Sequence, residues 1–278
     1  MGNKEEKKGK IAVILSVYKG DSVTFLKECI DSLLNQTIAN IDVIIGVDGA
    51  VDKLMADSIA SYEVDGSVRV IRFSENRGLA AVLNDLIEIC KEEGYGYLAR
   101  MDADDICTKE RMKLQLAYLK NHPEVDVVGG TIEEIDGESN LRGKKVSYPL
   151  SHKGCKKMFG YRNPMAHPAV MFRKSYFEKV EGYRSEFRKN QDTMLWFDGF
   201  KSGCVFANIP DTVLYFRVTD SMLGKRRNGW EYAKSRFDIR LKILKELHYG
   251  IRSYILCFVI FCVQLSPVWL KKILYQFR

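Results

Sequence analysis

The sequence predicts an α/β fold in which an open, mostly parallel sheet is flanked by helices. Three apolar runs rich in β-branched residues, Ile11–Val17, Ile41–Val47 and Ser67–Phe73, are typical of strands buried on both faces of a parallel sheet. The segments that separate them repeat apolar residues at helical spacing. The resulting order β-α-β-α-β is typical of parallel strands joined by right-handed helical crossovers.

The segments that follow continue this alternation. The first helix begins after Asp21 or Ser22, either of which can cap it. Another helix follows the Asn76-Arg77-Gly78 loop and leads to a short strand that starts at Tyr97. The later predicted elements are a helix at Lys109–Lys120, strands at Val125–Ile135, Ala169–Phe172, Val205–Ile209 and Val213–Val218, a loop at Asp136–Lys145 and a helix at Asp192–Phe200.

Composition and charge limit the classes of partner. The 278 residues are enough for one or two domains with a sizeable core. A net charge of +7 fits an anionic ligand or an anionic membrane surface and does not by itself indicate nucleic acid. The seven cysteines include no C-x-x-C pair, which favours reduced thiols in a cytoplasmic compartment. No secretory signal opens the chain, and the charged leader, residues 1–10, is expected to be disordered.

A cluster of three carboxylates, Asp102, Asp104 and Asp105, follows the strand that starts at Tyr97. Unpaired charges are costly to bury, so this cluster should face water or a cation. Mg²⁺ and Mn²⁺ bind carboxylate oxygens and often join them to a substrate diphosphate. Asp-Ala-Asp at a strand end therefore fits a metal–diphosphate site, although an acidic turn that only caps the next helix fits the same residues.

Two other predicted strands end in candidate binding residues, Ser16–Tyr18 and Asp48. Ligands of open α/β sheets lie beyond the carboxyl ends of the strands, so three such ends together predict a nucleotide site. The stretch Gly94–Ala99 matches the loose pattern G-x-G-x-x-A. A helix precedes it and a strand follows, which is the reverse of a dinucleotide-binding loop, and an NAD site is therefore rejected.

Two segments of the second half are candidates for chemistry. In Asn190–Thr193, just before an apolar helix, Asp192 either caps that helix or acts as a general base near the metal site. In Asn163–Pro168, His167 lies in a proline-flanked loop, where a histidine is more often structural than catalytic.

The C-terminal part of the chain, residues 223–278, differs in character from the rest. A basic cluster at 225–227 precedes a helical pattern from Trp230 to Leu247 and the nearly uncharged Tyr254–Leu265. Those last 12 residues reach about 18 Å as a helix, short of the roughly 30 Å of a hydrocarbon core. Aromatic and basic residues within 267–272 favour a helix that lies in the membrane interface, and a helix packed on the catalytic domain is the alternative.

Eight stretches occur in an order and spacing that are more specific than any one of them. They are SVYKGD (Ser16–Asp21), LLNQT (Leu33–Thr37), VIIGVDGAVD (Val43–Asp52), ENRGLAAVLN (Glu75–Asn84), RMDADD (Arg100–Asp105), HPAVMFRK (His167–Lys174), QDTMLW (Gln191–Trp196) and YFRVTDSM (Tyr215–Met222). Between Ile11 and Ser221 the chain thus resembles the family 2 inverting glycosyltransferases with a GT-A fold, particularly bacterial enzymes of surface-polysaccharide assembly.

This resemblance implies a binding site for a UDP-sugar. Asp48 would hydrogen-bond the uracil, while Asp102 and Asp104 would be the DxD carboxylates that bind the ribose and a Mn²⁺ or Mg²⁺ ion on the diphosphate. Arg217 stands where the family often places a residue near the diphosphate. The implied nucleotide-sugar-binding residues are Ser16, Val17, Tyr18, Asp48, Asn76, Arg77, Gly78, Arg100, Asp102, Ala103, Asp104 and Arg217.

The resemblance also implies a reaction. Asp192 would be the general base as a hexose or N-acetylhexosamine moves, with inversion, to a saccharide acceptor linked to undecaprenyl diphosphate, in O-antigen, capsule or exopolysaccharide assembly. The catalytic domain would span residues 11–222, with a nucleotide-sugar half at 11–135 and an acceptor half at 136–222. The tail would contact the cytoplasmic face of the bacterial inner membrane.

Two features depart from the family pattern, and two other classes of protein stay open. Val47-Asp48-Gly49-Ala50 stands where the family commonly has Asp-Asp-Gly-Ser, so the partner carboxylate is missing, and Gln191 replaces the Glu that commonly precedes the base. A sugar-phosphate nucleotidyltransferase shares the sheet and the acidic site, but it usually needs a glycine-rich basic loop where this chain has Tyr18-Lys19-Gly20-Asp21. A non-catalytic nucleotide- or carbohydrate-binding protein has no need of Asp192.

Overall fold

A computed structural model describes residues 7, 9–219 and 230–266. The strands are β1 (Ile11–Val17), β2 (Ile41–Asp48), β3 (Val68–Phe73), β4 (Tyr97–Arg100), β5 (Ile106–Cys107), β6 (Val127–Ile135), β7 (Leu141–Val146), β8 (Met171–Arg173) and β9 (Phe206–Arg217). The helices are α1 (Val23–Leu34), α2 (Lys53–Val64), α3 (Leu79–Glu93), α4 (Arg111–Asn121), α5 (His152–Phe159), α6 (Tyr176–Lys179), α7 (Gln191–Lys201), α8 (Trp230–Glu246) and α9 (Ile251–Leu265), and a short 3-10 turn covers His167–Ala169.

Nine strands in the described part of the chain form one sheet, in the order β3-β2-β1-β4-β8-β6-β9-β5, with β7 paired to β6. The neighbours β3, β2, β1 and β4 are parallel, as predicted. In the other half β6 is parallel to β9 but antiparallel to β7 and β8. The predicted α/β class is therefore confirmed, with a mixed rather than uniformly parallel second half.

The first strand shows why both faces of the sheet are buried. Alternate residues of β1 point to opposite faces, so Val13 packs in the core layer that contains Leu26 and Ile30 of α1, while Ile14 packs in the layer that contains Leu83 of α3. A strand covered by helices on both sides has to be apolar along its whole length, which is the pattern that the sequence shows.

Two strands of the second half differ from the prediction, and the helices α5 and α6 were not predicted. β7 forms within residues 136–145 and at Val146, where a loop was expected. The sequence did not predict this strand because it is a largely exposed edge strand with no apolar alternation. β9 is one strand instead of two. It continues past Pro210 and Asp211 because these two residues bulge out of the pairing between Ile209 and Thr212 and their partners on β6. Most of the remaining predicted bounds differ by one or two residues, as is usual at element ends, and α9 begins three residues before the predicted Tyr254.

The two C-terminal helices pack against each other and against the α5 region. Phe237 of α8 and Phe261 of α9 have ring centroids 4.6 Å apart, and Arg240 donates a hydrogen bond to the carbonyl of Phe159. In the parts of the chain that the structure describes, no helix combines the length and the apolar character needed to cross a membrane. The predicted disordered leader (apart from residues 7, 9 and 10), the basic cluster at 225–227 and the flanking residues 267–272 lie outside the described residues.

Candidate active site

The predicted strand ends lie at one edge of the sheet. Ile14 of β1 is opposite Arg100 of β4, and Val17 is opposite Val47 of β2. The residues that follow these three strands therefore start from a common edge. Met101 strengthens the connection, since its amide donates a 3.1 Å hydrogen bond to the carbonyl of Ile14. This edge is where ligands bind in open α/β sheets.

The acidic loop, residues 102–105, gathers carboxylates at this edge. Asp102, Asp104 and Asp105 each place a carboxylate oxygen within 4.8 Å of those of the other two. Burial, and after it the charge of Asp102, raises the pKa of Asp104 to about 6. The pKa of Asp105 is also raised, by burial and then by the other two carboxylates, and its Oδ2 has no partner among the described residues. A divalent cation would offset this concentrated charge, and carboxylate oxygens are the ligands that Mg²⁺ and Mn²⁺ prefer.

Arg100 is a buried cation beside the acidic loop. Its side chain is 3% exposed and forms an ion pair with Asp102. Its Nε and Nη1 atoms have no hydrogen-bond partner in the described part of the chain. Buried donors are almost always paired in native proteins, so these two point to a polar ligand that would complete the site.

Asp48 is 3% exposed and is hydrogen-bonded to the loop between β3 and α3. Its carboxylate accepts hydrogen bonds from Asn76 Nδ2 (2.9 Å), the Arg77 amide (2.7 Å) and the Gly78 amide (2.9 Å). Gly49 makes the close approach possible: its φ is +79°, and a Cβ there would lie 2.7 Å from the Asn76 amide nitrogen. The structure thus brings the predicted residues of these two loops into direct contact.

The remaining predicted donor-site residues near β1 and β3 lie in different environments. Val17 is completely buried in the core, whereas Ser16 and Tyr18 are partly exposed. The Tyr18 ring lies over the turn that follows β1 and is so close to Gly20 that a Cβ on this glycine would come within 2.5 Å of the ring. The Arg77 side chain points outward and pairs with an aspartate of α3.

Arg217 lies behind the acidic loop. Its side chain is 0% exposed and forms an ion pair with Glu28. Its Nε donates to the Asp104 carbonyl at 2.7 Å, and its own amide donates to the Asp105 carboxylate at 2.8 Å. Ala103, also buried, lies within the segment that these bonds hold. The predicted contact of Arg217 with a diphosphate stays a prediction, and the observed bonds give Arg217 a role in holding the acidic loop in place.

Asp192 lies in the first turn of α7 but does not cap it. The N-cap is Asn190, which has a φ of +63° and makes no side-chain cap bond. Asp192 Oδ2 accepts a 2.7 Å hydrogen bond from Asn163 Nδ2, and Oδ1 accepts one of 2.7 Å from the Thr193 amide. The carboxylate is partly exposed. It is therefore held in one orientation with access to solvent, as a general base requires.

Tyr183, which sequence analysis did not identify, is a buried residue of the loop that precedes α7. Its hydroxyl is 2.7 Å from Nε2 of His167. Burial raises the pKa of Tyr183; the charge of Arg100 opposes this, while the charges of Asp192 and Asp102 add to it. Burial also lowers the pKa of His167, with a further lowering by Arg100, so the imidazole is neutral. The segment that holds His167 connects the two sites: Asn163 in this segment binds Asp192, and the Val170 carbonyl accepts a 3.0 Å hydrogen bond from the Arg100 amide.

No local sequence signal marks Tyr183. It follows a glycine with a φ of +109°, and its backbone is fixed by Asn84 of α3, which donates to the Tyr183 carbonyl at 2.8 Å and accepts from its amide at 2.7 Å. Asn84 is 99 positions away from Tyr183 in the sequence. By contrast, Asn163 and His167 lie in the proline-flanked segment that sequence analysis had noted.

Comparison with known proteins agrees with the fold and the motifs. Residues 12–181 match the glycosyl transferase family 2. The chain is 30% identical over 266 residues to the amylovoran biosynthesis glycosyltransferase AmsE of Erwinia amylovora, covering 95% of this chain and 97% of AmsE. It is 28% identical over 269 residues to the UDP-Gal:alpha-D-GlcNAc-diphosphoundecaprenol beta-1,3-galactosyltransferase of Escherichia coli, covering 96% of this chain and 95% of that enzyme.

Among solved structures, S. aureus TarS 1-349 in complex with UDP-GlcNAc has a TM-score of 0.62 and 17% identity, over 84% of this chain and 66% of that one. The chain spans 40% of a longer TarS chain. This similarity shows a shared fold, and the protein is thus of the GT-A-like α/β class. The chain belongs to glycosyl transferase family 2 and is a glycosyltransferase, as its motifs predicted. The nucleotidyltransferase and non-catalytic alternatives are thereby set aside.

Proposed function

We propose that this enzyme transfers a hexose or N-acetylhexosamine from a UDP-sugar to a saccharide acceptor, with inversion, during surface-polysaccharide assembly. The observation that supports this most directly is the pair of carboxylate sites: the acidic loop, whose carboxylate oxygens lie within 4.8 Å of one another, and Asp192, which Asn163 holds in one orientation. The amylovoran and diphosphoundecaprenol enzymes named above support a polysaccharide pathway and an acceptor linked to undecaprenyl diphosphate.

On the donor side, Asp102 and Asp104 would hold Mn²⁺ or Mg²⁺. The clustered carboxylate oxygens and the partnerless Oδ2 of Asp105 fit such an ion. When bound, the ion would act as a Lewis acid on the diphosphate. Arg100 would direct its unpaired N–H groups to the donor. The hydrogen bonds that Asp48 accepts would position the loop at residues 76–78 around the nucleoside, and Ser16 and Tyr18 would also line the nucleoside pocket.

On the acceptor side, Asp192 would take the proton of the attacking hydroxyl. In a single displacement, the bond between the acceptor oxygen and the anomeric carbon forms as the bond from that carbon to the diphosphate oxygen breaks. The released UDP carries away the electron pair, and Asp192 carries the proton. Asn163, which holds Asp192 Oδ2, would keep the carboxylate aimed at the hydroxyl.

The tail would hold the enzyme at the cytoplasmic face of the inner membrane. α9 exposes Ile251, Ile255, Phe258 and Val259, and such a run of apolar side chains favours an interface location. The catalytic domain would cover residues 11–222, divided near residue 135 into donor and acceptor halves.

A donor screen tests the proposed function. The purified chain is incubated with UDP-Glc, UDP-Gal, UDP-GlcNAc and UDP-GalNAc, with Mn²⁺ or with EDTA, and slow hydrolysis and thermal stabilisation are measured. One donor is expected to be hydrolysed and to stabilise the fold in the presence of the metal. Absence of hydrolysis and of stabilisation with every UDP-sugar would contradict the proposal.

A further inference from the structure

A cavity separates the start of α7 from the hairpin formed by α8 and α9. Its cavity volume is about 30 Å³, and it is partly open to solvent. Arg236 and Arg240 line it from α8, and Gln264 lines it from α9. On the opposite wall lie Asn190 and Thr193, so Asp192 is located at the margin of this cavity.

The two arginines form a like-charged pair one helical turn apart. Arg236 Nη1 donates to the Tyr232 hydroxyl at 2.9 Å, and Arg240 Nη1 donates to the carbonyl of Phe159. Within the described residues, no carboxylate forms an ion pair with either guanidinium. Arg240 is 7% exposed, and burial, followed by the charge of Arg236, lowers its pKa to about 10. Like charges at this spacing destabilise a helix, and an anion in the cavity would reverse that effect.

The start of α7 forms the other side of the cavity. This helix has 11 residues, and its N-cap, Asn190, makes no side-chain hydrogen bond to the first turn. The first turn carries Asp192, whose carboxylate accepts a hydrogen bond from the Thr193 amide and offsets the positive end of the helix dipole. The positive charge of the cavity therefore comes from the two guanidinium groups, which can pair with a phosphate or diphosphate group.

We propose that Arg236 and Arg240 bind the diphosphate of a lipid-linked acceptor and thereby hold its sugar hydroxyl at Asp192. This inference rests on the proposed function. The donor diphosphate belongs at the acidic loop, so the cavity serves a second anion. The face of α9 opposite to the cavity exposes apolar residues, among them Ile255 and Phe258. The cavity therefore lies beside the surface proposed to contact the membrane, where the lipid part of the same molecule would lie. The tail is then part of the acceptor site as well as a membrane contact.

Calorimetric titration tests this site with farnesyl diphosphate as the probe, added to the full-length protein saturated with UDP and Mn²⁺. Farnesol, which has the same chain without the phosphates, is titrated in parallel. We expect farnesyl diphosphate to bind and farnesol to bind much more weakly. Arg236→Gln and Arg240→Gln should each weaken binding by at least about tenfold, the loss of a charged hydrogen bond. Lys234→Gln, an exposed position on the same helix, is the matched control and should bind normally.

Equal binding of farnesol, or unchanged affinity in Arg236→Gln, would overturn the inference. Thermal unfolding shows whether Arg240→Gln is folded; if it is not, Arg240→Lys and Arg236→Gln decide. UDP-sugar hydrolysis without an acceptor separates the two proposals. If the wild type hydrolyses a UDP-sugar and Arg236→Gln binds farnesyl diphosphate with unchanged affinity, only the acceptor site is contradicted. If the wild type neither hydrolyses nor binds any UDP-sugar, the proposed function itself is contradicted.

Discussion

Asn163 and Asp192 are 29 positions apart in the chain and are joined by a 2.7 Å hydrogen bond from the amide Nδ2 to the carboxylate Oδ2. The other end of the same amide, Oδ1, accepts a 3.0 Å hydrogen bond from the Thr193 hydroxyl. Both ends of the Asn163 amide are therefore fixed by hydrogen bonds, and the amide in turn fixes the orientation of the Asp192 carboxylate. A base held in this way needs little rearrangement when the acceptor arrives.

Loss of the base should stop transfer without preventing donor binding. Asp192→Asn is expected to lower kcat by roughly 10²- to 10⁴-fold, the usual contribution of a general base, with little change in the Kd for UDP. Asn163→Ala should lower kcat by about tenfold, because it removes orientation only. Asp57→Asn, an exposed aspartate on α2, is the control. Near-normal turnover in Asp192→Asn would show that another group removes the proton.

Activity should depend on a divalent ion at the acidic loop. EDTA is expected to stop UDP-sugar hydrolysis, and Mn²⁺ or Mg²⁺ to restore it, because the ion offsets charge on the leaving diphosphate. Asp104→Asn should weaken Mn²⁺ binding measured by calorimetry, and Asp57→Asn should leave it unchanged. Full hydrolysis in EDTA would contradict the metal assignment.

The stability of the metal-free protein should respond to pH through Asp104. The folded pKa of about 6 lies above the usual value of an aspartate, so the ionised form destabilises the fold. This cost is fully present above about pH 6 and shrinks as the pH falls from about 6 towards about 4. Asp104→Asn should stabilise the metal-free protein at pH 7 by about 1–3 kcal/mol and by less at pH 5. Mn²⁺ should stabilise the wild type more at pH 7 than at pH 5, because protons compete for the same oxygens. Thermal unfolding at both pH values measures this, and a variant less stable than wild type at pH 7 would contradict it.

Arg217 should be required for the shape of the acidic loop. Arg217→Leu removes a fully buried guanidinium that pairs with the partly exposed Glu28 and donates hydrogen bonds to the carbonyls of Asp104 and Asp136. The free energy of unfolding should fall by about 2–4 kcal/mol, mainly because these acceptors lose their donor. Mn²⁺ affinity should fall as well in whatever fraction remains folded. Arg69→Leu, which breaks an exposed pair with Glu93, should cost less than about 1 kcal/mol. Urea unfolding compares the two, and equal losses would contradict the proposed role.

The exposed face of α9 should bind membranes. Replacing Ile255 and Phe258 with glutamate should lower binding to vesicles that contain anionic lipid, because charged groups enter the interface poorly. Leu54→Glu, another exposed apolar residue, is the control on α2. Deleting residues 252–278 should move the protein from the membrane fraction to the soluble fraction, and an unchanged distribution would show that the tail is structural.

The sequence by itself was sufficient for the parallel half of the sheet and for the acidic loop. Strands covered on both faces, such as Ile11–Val17, must be apolar throughout, and helices between them show their own period. The triplet at 102–105 is local, so its chemistry is visible in consecutive residues. β7 was missed because an exposed edge strand has no such pattern, and β9 was divided at Pro210 because a bulge is not visible without its partner strand.

Only the tertiary structure decided how the distant parts of the site are held together. Arg217 meets the acidic loop, Tyr183 meets His167, and Asn163 meets Asp192 through single side-chain contacts. Such contacts leave no periodic trace, because each depends on where two separate elements come to rest rather than on the spacing of residues within one of them. The same is true of Arg240 in the tail, which reaches the margin of the candidate site only because α8 packs there.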